Sequence, residues 1–132
     1  MPFHRELDEI REDVAGKSKI GTTRRGIGPA YEDRVGRRAI RVCDIFNKKI
    51  LKNKIENALF HHNPIRKGLG IKEIKSDEII KEIDEISDYI KPYVKNVWEE
   101  LSILQNKNSN ILFEGAQGVL LDIDHGTYPF VT

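Results

Sequence analysis

Between Gly21 and Arg41 the chain carries six arginines, at positions 24, 25, 34, 37, 38 and 41. Only Glu32 and Asp33 oppose them, so this stretch holds a charge of +4 in a chain whose net charge is +1. Arginine suits bidentate capture of phosphate or carboxylate better than lysine does. Thr22 and Thr23 add hydroxyls beside Gly21. The residues alone leave two readings open, an anion site and a solvated basic loop with surface ion pairs. A second stretch runs from Ile111 to Thr132, ILFEGAQGVLLDIDHGTYPFVT. Its apolar Ile111-Leu112-Phe113 follows the polar, turn-forming Asn108-Ser109-Asn110 and predicts a short buried strand. Glu114-Gly115-Ala116-Gln117-Gly118 predicts a glycine-rich loop at that strand's carboxyl end, where backbone N–H groups can approach a ligand closely. Gln117 is its only side chain with both a donor and an acceptor. The loop lacks the Gly-Lys-Ser/Thr ending of a phosphate loop, so an ordinary strand–turn also remains open. Asp122, Asp124 and His125 have metal-ligating atoms, but no further His or Cys stands at ligand spacing. They read as turn and capping groups.

The elements that must position these stretches are mostly helical. Phe3, Leu7, Ile10 and Val14 recur at helical spacing and predict a helix over 2–15, stopped by Gly16. His4 lies beside that face and reads as a surface or partly packed histidine. Gly21, Gly26 and Gly28-Pro29 forbid a long element, and 30–38 predicts a short helix with Pro29 at its first position. Asp44 or Asn47 caps a further helix to about His61, with Ile50 or Leu51, Ile55, Ala58 and Leu59 inward. Asn63-Pro64 is expected to end it. His61 and His62 point different ways on a helix and are not read as a metal pair. Residues 65–75 read as a connector. Ser76 opens a long stripe, Ile79, Ile83, Ile86, Ile90, Tyr93, Val97, Leu101 and Leu104, which Pro92 should kink or split. Trp98 beside it reads as a packing residue.

The expected fold class is therefore a predominantly α-helical α/β fragment with one or two short strands. Its organisation is a helix and arginine-rich loop over 1–46, a helical subdomain over 47–107, and a strand with a site loop over 108–132. A lone strand is not a sheet, so these strands are expected to belong to the central sheet of a larger molecule.

Composition bounds the function. With 132 residues and 39% apolar content the chain is the size of one domain, and its mean hydropathy of −0.50 is that of a rather polar protein. A net charge of +1 gives no global pull toward nucleic acid or membrane. There is no spanning apolar run and no leader pattern. The single Cys43 excludes an internal disulfide and fits a reducing cytoplasm. Lying in the apolar run 40–46, it reads as a buried structural thiol.

Two long strings together carry a specific resemblance: Lys19 to Phe46, KIGTTRRGIGPAYEDRVGRRAIRVCDIF, and Ile111 to Thr132. Both resemble the adenylosuccinate synthetase family, which joins IMP and aspartate using GTP and Mg2+. The resemblance implies a cytoplasmic homodimeric ligase of AMP biosynthesis, with no nucleic-acid or membrane partner. It implies IMP contacts at Thr23, Arg37, Gln117 and Thr132, with Arg37 donated in trans across the two-fold interface. The family's Gly-Asp-Glu-Gly-Lys-Gly loop, its catalytic aspartate and histidine and its guanine-reading motif have no counterpart in this sequence. The resemblance therefore implies a central fragment, with no catalytic or metal residue of its own. By itself it is expected to be inactive and to bind neither GTP nor Mg2+. Arg24 stands where many members have Gly, and Val119 where Thr is common. The alternative is a non-catalytic helical module using its arginines for RNA or an acidic partner. Only Tyr31 interleaves them, which argues against RNA.

Overall fold

A computed structural model describes residues 1–132. Its helices are α1 (Pro2–Val14), α2 (Ile27–Val35), α3 (Lys48–Gly68), α4 (Ser76–Ile90) and α5 (Val97–Asn106). Single 3-10 turns lie at Gly16–Ser18, Val42–Phe46, Lys91–Tyr93 and Val119–Leu121. The core forms where α3 meets α4. Leu51, Ile55, Ala58 and Leu59 of α3 close on Ile79 and Ile83 of α4, with Phe3 of α1 set against them. Each of these side chains except the small Ala58 stabilises the fold by about 1.5–3 kcal/mol. Ile40, Ile45, Ile74 and Ile80 pack around this cluster.

Helix α1 is buried differently from its apolar pattern. Phe3 is inside, but Val14 is exposed, and the buried stripe continues through His4, Asp8 and Glu12. These polar residues recur every four positions and so share one helical face. That face receives backbone N–H groups of the following loop, which replace the water that the carboxylates would lose on burial. His4 is thus a buried group rather than a surface one.

Helix α2 begins at Ile27, three residues before its expected start, and Pro29 lies in its first turn. Asn47 caps α3, its Oδ1 accepting from the N–H of Lys49 and of Ile50 at 3.1 Å each. Asp44, the other candidate cap, instead accepts from the Arg41 N–H at 2.7 Å and from Lys54 Nζ at 2.7 Å. Helix α3 then runs through Pro64 to Gly68 rather than stopping at Asn63. Pro64 removes the donor that would have met the carbonyl of Phe60, an exposed residue whose carbonyl can turn to water. Side chains on either side of the proline hold the last turn. Asn63 exchanges two bonds with the backbone of Ile74 at 2.9 and 3.0 Å. Arg66 donates to the Lys72 carbonyl at 2.8 Å and to Glu6 of α1. Pro92 does split its stripe, with α4 ending at Ile90 and α5 beginning at Val97. Trp98 is exposed rather than packed.

The expected strands are absent, so the α/β reading is corrected: the chain is all-helical. Ile111, Leu112 and Phe113 are irregular, with Leu112 91% and Phe113 78% exposed. A strand needs a neighbour for its N–H and C=O groups, and no other segment of this chain offers one. Residues 118–132 are instead tied by local turns. The Gly126 N–H meets the Asp122 carbonyl at 2.8 Å, and the Thr127 N–H meets the Leu120 carbonyl at 3.0 Å. Cys43 is also exposed; its neighbour Asp44 is the buried residue of that run.

Gly26, the residue just before α2, lies close against the backbone of α1. Its φ is +77°, and a Cβ there would lie 2.6 Å from both the Arg5 nitrogen and the His4 carbonyl carbon. Backbone cannot yield as a flexible side chain can. Gly26→Ala should therefore destabilise the fold by about 2 kcal/mol or more, combining left-handed strain with overlap. Urea denaturation followed by circular dichroism checks this, and an unchanged midpoint would contradict the close approach.

Candidate functional site

The loop before α2 is held from below by the acidic stripe of α1. Glu12 Oε1 accepts the Gly21 N–H at 2.6 Å. Asp8 accepts the Thr22 hydroxyl at 3.1 Å and the Gly26 N–H at 2.9 Å. Both ends of the loop are thereby fixed, while Thr23 between them is exposed and its hydroxyl has no partner in the chain. Arg24 has φ +54° and pairs with Asp13 at 2.7 Å. This left-handed backbone is one that glycine adopts more readily than arginine does.

The other end of α2 carries Arg37, exposed and also left-handed at φ +61°. Close by, Asp33 lies almost wholly buried beneath the helix. Its Oδ2 accepts from His4 Nε2 at 2.8 Å and from His62 Nε2 at 2.7 Å, and its Oδ1 accepts from Arg38 Nε at 3.1 Å. Because a carboxylate only accepts, both imidazoles must carry a proton on Nε2. His4 Nδ1 is then a bare acceptor, buried without a partner. Phe3 packs against both rings, with centroids 4.3 Å from His4 and 4.7 Å from His62.

His4, Asp33 and His62 bring three metal-ligating atoms within 4.8 Å of one another. The separations from Asp33 are nevertheless those of hydrogen bonds, and the Arg38 guanidinium occupies the second carboxylate oxygen. Magnesium prefers oxygen ligands and keeps several waters, so this closed, nitrogen-rich cluster does not fit it. No local pattern marks this trio, whose successive members lie 29 residues apart. A weak signal existed only in α1, where His4, Asp8 and Glu12 recur every fourth residue.

These contacts decide the charge balance around α2. Glu32 is taken by Arg11, which forks onto it at 2.5 and 3.0 Å, and Asp33 is taken by the histidines and Arg38. Of the six arginines, Arg24 and Arg38 have carboxylate partners. Arg25, Arg34, Arg37 and Arg41 are exposed and make no ion pair within the chain. The solvated-loop reading expected surface pairs, which these four lack.

The remaining expected site residues lie apart from this region. Gln117 is exposed in the irregular segment after α5. Thr132 is exposed too, its N–H bonded to the Leu121 carbonyl at 3.0 Å. No hydrogen bond or ion pair joins residues 97–132 to α1–α4, and none links Gln117 or Thr132 to Thr23 or Arg37. Asp122 accepts the Asp124 and His125 N–H groups and His125 Nδ1, each at 2.9 Å, which is the turn role expected of it. No helix is long and apolar enough to cross a membrane.

The loop is thus held at both ends, with a free hydroxyl at Thr23 and four guanidiniums that have no carboxylate partner. The sequence pattern of the family described as adenylosuccinate synthetase matches residues 1–132, and the chain belongs to that family. It is similar to the fully ligated adenylosuccinate synthetase from Plasmodium falciparum, at 30% identity and a TM-score of 0.84. That match covers 98% of this chain and 30% of the Plasmodium chain, so these residues span less than a third of that enzyme's length.

Burial makes the histidine–aspartate cluster sensitive to acid. Burial holds the His4 pKa below its ordinary 6.5, against the opposing bond from Asp33. A proton added at Nδ1 would have no acceptor. Burial alone would raise the Asp33 pKa, but the bonds from His4, His62 and Arg38 and the nearby His62 bring it below 3.8. Both groups bind fewer protons folded than unfolded. Stability should therefore fall as pH drops through about 6.5, by at most about 1.4 kcal/mol per pH unit for His4. The Asp33 contribution is lost only below its ordinary range. Urea midpoints at pH 7.5 and 5.5 test the sign. His4→Gln keeps an N–H donor that cannot titrate and should flatten the dependence.

Proposed function

We propose that this chain supplies IMP-binding elements of an adenylosuccinate synthetase. In that reaction GTP phosphorylates the 6-oxygen of IMP, and the aspartate amine then displaces the phosphate. The observation that carries the reading is the set of Arg25, Arg34, Arg37 and Arg41 without carboxylate partners, in the same stretch as the free hydroxyl of Thr23, in a chain of that family. Thr23 binds the IMP phosphate, as does Thr132 from the C-terminal segment, and Gln117 contacts IMP near the reacting ring. Arg37 reaches the phosphate of a neighbouring subunit's IMP in a homodimer. The in-trans role is supported by position. Thr23 and Arg37 flank opposite ends of the nine-residue α2, which rises about 13 Å. That separation favours their serving two different phosphates. GTP, Mg2+ and aspartate are partners of the complete enzyme, and none is assigned a ligand among these residues.

The residues here orient IMP and neutralise its phosphate, so their effects should fall on binding more than on turnover. In a complete enzyme carrying this sequence, Arg37→Leu should raise KM for IMP roughly ten- to a hundredfold, through loss of a charge-assisted bond of about 1.5–3 kcal/mol. KM for GTP should change less, and kcat should fall modestly. Mixing Arg37→Leu with a variant dead in the GTP loop should restore some activity, since one site of each mixed dimer is complete. If subunit exchange is verified and no activity returns, the in-trans role is wrong. The 132 residues alone should form no adenylosuccinate, because they contain no GTP cradle; GTP- and IMP-dependent product from the purified chain would refute this.

A further inference from the structure

The turn that ends α2 places a costly backbone conformation at an arginine. The Arg37 N–H bonds the Arg34 carbonyl at 3.2 Å, and the Arg38 N–H bonds the Asp33 carbonyl at 2.8 Å. These are the paired bonds of a Schellman ending, in which the left-handed residue is usually glycine. Here Gly36 stands one place too early, at φ −72°, and Arg37 takes the left-handed position at φ +61°. A non-glycine residue persists there only where its surroundings over-determine it.

Asp33 is the group that over-determines it. Its carbonyl holds the main chain of Arg38, and its carboxylate holds the guanidinium of Arg38 at 3.1 Å. Both attachments of Arg38 therefore end on one residue. That residue is itself fixed to α1 through His4 at 2.8 Å and to α3 through His62 at 2.7 Å. Arg37 sits between these anchored points with its backbone fixed and its side chain exposed and unpaired.

We propose that Asp33, clamped by His4, His62 and Arg38, is a positioning residue for phosphate binding. It touches no substrate. It holds the α2 ending in the left-handed turn from which Arg37 reaches its anion. This rests on the reading of Arg37 as a phosphate ligand and adds the device that aims it. A buried carboxylate serving only the core would act on stability alone, whereas one that aims Arg37 acts on IMP binding through Arg37.

A double-mutant cycle in the complete enzyme separates the two. Asp33→Asn keeps the shape but turns an amide donor toward either the imidazoles or Arg38, breaking one side of the clamp. It should raise KM for IMP about five- to twentyfold, with KM for GTP within about twofold, at a temperature where melting shows the variant folded. In an Arg37→Leu background the same change should add less than about twofold. Equal effects in both backgrounds would overturn the proposal and leave Asp33 as a core group. If Asp33→Asn does not fold, Arg38→Gln carries the same cycle, because both histidine bonds to Asp33 survive. An unchanged KM for IMP in that variant would overturn the proposal too. If Arg37→Leu alone leaves KM unchanged, the underlying phosphate reading has failed. If Arg37→Leu raises KM and the clamp variants do not, only the positioning role has failed.

Discussion

One buried carboxylate ties three helices together at a single point. Asp33 enters from α2, meets His4 of α1 and His62 of α3, and anchors Arg38 beyond the helix end. A carboxylate placed so far from water would be costly unless each lone pair were answered. Here its two oxygens take three N–H donors, one of them a guanidinium. With either imidazole removed, the charge would remain and its compensation would not, so the three helices depend on one another through this point. Without it, α2 would keep the Arg11–Glu32 pair and the close contact of Gly26 with the α1 backbone but lose its hydrogen bond to α3.

The same economy runs through α1. Asp8 and Glu12 do for the loop what Asp33 does for the turn: each accepts backbone or hydroxyl donors that would otherwise stay loose. The consequence is electrostatic as well as mechanical. Asp8, Glu12, Asp33 and Glu32 are all engaged below or beside α2, so none is left to pair with Arg25, Arg34, Arg37 or Arg41. A chain with almost no net charge thereby keeps a locally cationic stretch exposed.

Much of the helical layout was legible because apolar spacing reports it directly. The inward face of α3, the Asn47 cap and the break at Pro92 all follow from residue type and period. The region 21–41 was legible as chemistry because six arginines and paired hydroxyls are a local signal. What escaped was everything that long-range polar contact decides. His4 and Asp33 look like ordinary helix-surface residues until α3 brings His62 against them. Pro64 looks like a terminator until Asn63 and Arg66 are seen to hold the turn around it. Ile111-Leu112-Phe113 has the composition of a strand, but strand formation requires a neighbour that periodicity alone cannot supply.

The spacing of the Asp33 contacts along the chain has a further consequence for how the helices come together. Asp8 meets Gly26 across 18 residues, and Asp33 meets His4 and His62 each across 29. Loop closure costs grow only as the logarithm of length, about 0.6 kcal/mol per doubling, so none of these closures is much harder than the others. At 29 residues the two Asp33 closures each span about a fifth of the 132-residue chain, so they are long-range contacts and form later than the turns of the helices themselves. During synthesis α1 and α2 can pair as soon as the α2 turn has emerged, with Asp33 already facing one of its two imidazoles. The second arrives only with the far half of α3, so the final setting of the arginine turn waits on a residue made well after it.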